Sequence, residues 1–156
     1  MKNVLLLLVS HALVALLGFA AGIYLLPILI APPAPEAAEV GVLAEKAQFT
    51  AQFRRDLAGS DALHWGEGTV SVGPAAIALM GRLAPGPDYK LYLVPVFVED
   101  EVGFQRVKAA SVRVGDVNTF ENFIVPLPAE VDLTTYNTVV VWRETFREFI
   151  SAAQYR

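Results

Sequence analysis

Hydrophobic positions in this chain follow two regimes. From Val4 to Ile30 they are continuous, with no formal charge and only Ser10 and His11 as clearly polar side chains. Beyond residue 40 they come in short runs broken by Gly, Pro and Asp clusters. The first regime predicts a helix. Its 27 residues, at about 1.5 Å each, give roughly 40 Å, enough to cross a hydrocarbon core of about 30 Å with some tilt. A cleaved signal has a shorter apolar core of about 7–15 residues before a small-x-small site. Gly18-Phe19-Ala20 offers such a site, but the apolar run continues past it. The expectation is an uncleaved signal-anchor over residues 1–30, with Pro27 near its end, where a kink is tolerated.

Prolines at 32, 33 and 35 mark residues 31–39 as a stiff, extended linker rich in Pro and Ala. Residues 40–156 then read as one β-rich domain. Helical spacing of Val40, Leu43, Ala44, Ala47 and Ala51 predicts a short helix over Val40–Leu57, with Gln48–Phe53 equally readable as a strand. Thr69–Val72 alternates, Gly73-Pro74 turns, and Ala76–Leu83 is a second apolar run. Ala84–Asp88 is a turn cluster before a strand expected over Tyr89–Val98, where Pro95 marks an edge or a bulge. Glu99–Gly103 reads as a charged hairpin tip and Phe104–Lys108 as the returning strand. Ser111–Val114 is a strand, Gly115-Asp116 a turn and Phe120–Val125 another strand. The strongest strand signal runs from Thr134 to Trp142. Four consecutive apolar residues, Val139–Trp142, predict a central strand covered on both faces, and Arg143 stands where it leaves the core. Phe146–Tyr155 is a final strand or a short helix. Together these predict a mainly β fold, an antiparallel sandwich or barrel-like domain after one N-terminal transmembrane helix.

Charge adds orientation. Lys2 precedes the apolar run, while Glu36 and Glu39 follow it, so the positive-inside bias puts the N-terminus in the cytoplasm and residues 31–156 outside. The expected location is a cytoplasmic-type membrane, crossed once, with the C-terminal domain periplasmic. The inner membrane, held through residues 4–30, is the first partner. Beyond residue 31 there are sixteen acidic and eleven basic side chains, a net of −5. That argues against nucleic acid and anionic membrane surfaces. The chain has no cysteine, which excludes thiol redox chemistry, cysteine-ligated clusters and covalent haem attachment.

Candidate chemistry is sparse. His64 is the one histidine of the exported part, and it reads as a locally hydrogen-bonded residue. Met80 could pair with it as an axial haem ligand, but nothing in the spacing brings them together. Glu99-Asp100-Glu101 lacks the alternating oxygen ligands of a calcium loop. Gly66, Gly68 and Gly73 form no phosphate-binding fingerprint. His11 reads as a neutral residue near the membrane interface. The aromatic residues read as core, numerous enough to line an apolar pocket.

Two stretches resemble one family. Leu83–Leu93, LAPGPDYKLYL, is similar to the G-P-D-x-x-x-Y-L signature of the DM-thirteen domain family, a β-rich extracytoplasmic module. Tyr136–Phe146, YNTVVVWRETF, resembles its closing Y-N-T-V-V-x-W-C-x-x-F pattern. The resemblance covers residues 54–156 and implies an electron-transfer role that rests on the cysteine of the closing motif. Here that position is Arg143, which can neither ligate a metal nor be oxidised as a thiolate does. Gly86, Pro87 and Asp88 carry over as a turn, with Asp88 expected to accept backbone hydrogen bonds within it. Tyr136 and Trp142 carry over as motif positions, Trp142 as core. The resulting expectation is a binding or scaffold module for an unidentified envelope protein or small ligand, without thiol redox activity. The alternative is an electron-transfer component using a bound cofactor that the sequence does not specify. No residue is expected to be catalytic or to bind metal.

Overall fold

A computed structural model describes residues 2–156. The apolar run forms α1, Lys2–Ile30, and none of its residues is buried against the rest of the chain. It is long and apolar enough to cross a membrane. Residues 31–36 form neither helix nor strand, and Glu36 at their end is extended, in keeping with prolines that cannot continue a helix. The Asn122 side-chain amide donates to the Pro35 carbonyl at 3.2 Å and pins the end of this stretch to the domain. Next comes α2, Ala37–Ala44, which buries Val40.

Eight strands follow: β1 Phe49–Phe53, β2 Gly66–Val72, β3 Ala76–Leu83, β4 Tyr89–Val94, β5 Val112–Val117, β6 Glu121–Pro126, β7 Thr138–Arg143 and β8 Glu148–Gln154. They make two antiparallel four-stranded sheets, ordered β1-β2-β3-β6 and β5-β4-β7-β8. β1 runs beside β8 and β5 beside β6, so the sandwich is nearly closed at both seams. Val70, Val72, Ile77 and Leu79 of one sheet meet Leu91, Leu93, Val139, Val141 and Ile150 of the other. α2 lies on the outer face of the first sheet, against β3 and β6.

The second sheet is covered on its outer face too. Tyr92, Val94, Val140, Trp142, Phe149 and Ala152 pack there around Phe104 of α3, Glu101–Val107. All six residues of β7 are therefore buried, as the run of apolar residues from Val139 predicts.

Several elements differ from expectation. The helix expected over Val40–Leu57 ends at Ala44, and the alternative strand forms instead. Within β1, Ala51 and Phe53 alternate inward, and that alternation outweighs a weak helical stripe. The strand expected to Val98 stops at Val94, before Pro95, which has no N–H to donate to a ladder. The charged tip at Glu99–Gly103 and the strand at Phe104–Lys108 are replaced by α3 and a 3-10 turn, Lys108–Ala110. Asp100 is the N-cap, and its Oδ1 accepts from the Gly103 N–H at 2.6 Å. A short apolar run has no decisive period, and here the cap decides. Gly115-Asp116 is no turn but part of β5. A Cβ on Gly115 would lie 2.7 Å from Val125 Cγ1, so glycine permits the close approach of β5 to β6. The chain's last segment is the strand β8.

Candidate functional site

The two sequence motifs lie side by side. β4 pairs with β7, and Tyr89 is the partner of Arg143. The preceding loop, Ala84–Asp88, folds back over this pair, with Asp88 at φ +60°. Asp88 does not cap its own turn as expected. Its Oδ2 accepts from the Thr145 N–H at 3.0 Å and the Thr145 hydroxyl at 2.5 Å. Its carbonyl accepts from the Glu144 N–H at 3.1 Å, and Lys90 Nζ lies 2.8 Å from Oδ1. The loop is thereby tied to the β7–β8 turn. Lys90, then Thr145, hold the Asp88 carboxyl below the usual carboxylate range.

Arg143 ends β7 on the inner face of the sheet, with Val139 and Val141. Only 9% of the residue is exposed. Nη1 donates to Glu148 Oε2 at 2.6 Å, and Nη2 to the Tyr89 hydroxyl at 3.3 Å. That hydroxyl donates in turn to the Ala84 carbonyl at 2.8 Å. Burial pushes the Tyr89 hydroxyl up, against the pull of the Arg143 guanidinium. Cζ lies 5.5 Å from the Tyr89 ring centroid and 5.6 Å from that of Phe146. The guanidinium fills the space over Gly86, where an added Cβ would stand 2.1 Å from Nη2. Nε is buried without a partner among the described residues.

His64 joins the same network. Its Nε2 lies 3.1 Å from Glu148 Oε2 and its Nδ1 3.0 Å from Asp61 Oδ2. Asp61 Oδ1 accepts the Leu63 and His64 N–H groups at 2.6 and 2.8 Å. The His64 contact holds the Asp61 carboxyl low. The local hydrogen bond expected of His64 is present, and beyond it the ring links the β1–β2 connection to the β7–β8 hairpin.

Trp142 points to the other face, 1% exposed, with its ring centroid 4.7 Å from that of Phe104. Beside it Glu144 accepts from the Tyr92 hydroxyl at 2.9 Å and pairs with Lys108. Burial, then Glu144, push the Tyr92 hydroxyl up to about 12. Tyr136 stands before the start of β7, seven residues from Arg143, or roughly 20 Å of extended chain. The fold therefore gathers Gly86, Pro87, Asp88 and Arg143 at one end. It leaves Tyr136 at the other and Trp142 behind the sheet.

The remaining candidates separate. Met80 is exposed on β3, while both ring nitrogens of His64 face carboxylates. Asp100 caps α3, and Glu101 accepts from the Phe149 N–H at 3.4 Å. Among the described residues no three His, Asp or Glu side chains converge as a metal site. Glu148 and Tyr89 complete the site, and both were missed from the sequence. The one clue in the sequence was Arg143 at the end of a strand read as covered on both faces, since a charge drawn into the core requires a carboxylate.

A family model described as "Electron transfer DM13" matches residues 52–155. No curated protein and no solved structure matches.

Proposed function

Since this chain belongs to the Electron transfer DM13 family, we propose that it is a membrane-anchored, extracytoplasmic binding or scaffold module whose family site is closed by an ion pair. One observation carries the reading. The position where the family pattern has a cysteine is occupied by a buried guanidinium, bonded to Glu148 and Tyr89 and packed against Gly86. A guanidinium supplies donors and a fixed charge, whereas thiolate ligation and oxidation need sulfur. α1 supports the anchor by its length and composition, and Lys2 supports the orientation. The partner is an envelope protein or a small ligand.

The family's description favours a second reading, electron transfer through a bound cofactor. A UV–visible spectrum of the full chain in detergent, before and after dithionite, separates the two. The proposal expects only tryptophan and tyrosine absorption. A band that changes on reduction would move the assignment to electron transfer.

A further inference from the structure

We infer that the seam between the end of α1 and the Ala84–Asp88 loop is a binding site for a neutral, lipid-soluble amphiphile drawn from the bilayer. The inference rests on the reading of α1 as a membrane span. A cavity of about 350 Å³ lies in this seam. Leu26, Pro27 and Ile30 form the wall on the α1 side, and Pro87 and Phe120 the wall on the domain side. The volume is at the small end of the range for ligand pockets, about 300–1,000 Å³. It holds a ring or a short length of chain, not a whole lipid.

Its polar edge selects the head group. Asp88 and Asn118 supply that edge. The Asp88 carboxylate is already committed to Lys90 and Thr145, so a cationic head finds no free counter-charge. An anionic head meets that carboxylate, and the nearby Lys90 is shared between Asp88 at 2.8 Å and Asp116 at 3.1 Å. Asn118 is exposed at the rim of the cavity, and none of its amide atoms is tied up in a side-chain bond of the Asp88 cluster. It offers one acceptor and two donors to a neutral carbonyl or hydroxyl. The wall on the α1 side continues the apolar surface of that helix, which makes the bilayer the source of the ligand. The loop that closes the cavity also covers Arg143 and Tyr89, so an occupant would touch the family site from outside.

The test uses the full chain in phosphatidylcholine nanodiscs. The probe is a diacylglycerol carrying a diazirine close to its glycerol head. Illumination should label the Val117–Phe120 segment as well as α1. Ala31 lines the cavity, and Ala31→Trp should cut labelling of Val117–Phe120 at least fivefold while leaving α1 labelled. Asn118→Asp, which adds a second carboxylate, should lower it similarly. Label confined to α1 overturns the site but keeps the span. Equal labelling of Val117–Phe120 by the matching phosphatidylglycerol probe overturns the choice of a neutral head. A chain that stays out of the nanodiscs, or an unlabelled α1, overturns the span and the site together.

Discussion

Removing Glu148 should hurt this protein more than removing Arg143, although the two form one ion pair. The Arg143 side chain is 11% exposed and that of Glu148 is 34% exposed. Deleting one partner of a fully buried pair costs about 3–5 kcal/mol, while exposed pairs contribute about 0–1 kcal/mol. Glu148 lies between these limits, so Glu148→Ala should cost about 2 kcal/mol. It leaves the guanidinium buried with the 3.3 Å bond to Tyr89 and an unpartnered Nε. Arg143→Met keeps an apolar stem and removes the charge that needs compensation, so it should cost less than about 1 kcal/mol. Glu148→Ala also costs the His64 contact in either background, so the double variant should be only a little less stable than Arg143→Met alone, a coupling of more than about 1 kcal/mol. In a domain of this size about 2 kcal/mol corresponds to roughly 8 °C in Tm. Thermal and urea unfolding of the four proteins in detergent measures the cycle. Additivity within about 0.5 kcal/mol, or a costlier Arg143→Met, would refute the argument.

Three further outcomes are expected. Arg143→Cys should fold and give a thiol more reactive toward metal or oxidant than a cysteine placed at exposed Thr135; equal reactivity would sink the idea that only the side chain separates this member from a thiol site. The Asp88 carboxyl is held low in the folded protein, so its contribution is present above the unfolded Asp value of about 3.9 and is lost as pH falls through the folded value. Asp88→Asn should therefore be less stable than the parent at pH 7, the gap closing in acid; a gap independent of pH contradicts the sign. Residues 1–30 fused to a reporter should stay in the membrane fraction, and release of a soluble, shortened reporter would overturn the anchor.

The covered strand β7 was legible because four apolar residues in a row leave no polar face to expose. α3 was not, since its apolar positions span barely two turns and fit either period; Asp100 at the cap was the usable clue. The charged network was hidden for geometric reasons. Glu148 reaches Arg143 across a hairpin whose register slips between Val141 and Trp142, and such a bulge leaves little trace in sequence. His64 arrives from 84 residues away, a separation that no local pattern reports. Asp88 was recognised as a turn residue, but its partners lie on a strand connection 57 positions later.

The pin between Asn122 and the Pro35 carbonyl shortens the leash between helix and sandwich. Four residues, 31–34, remain between Ile30 and the anchored proline, and fully extended they reach roughly 13 Å. With α1 held in a bilayer, the domain would sweep no farther from the lipid than that short tether allows. Its motion would then be a sideways drift in the plane of the membrane, and any dissolved molecule it met would have to come down to the lipid surface.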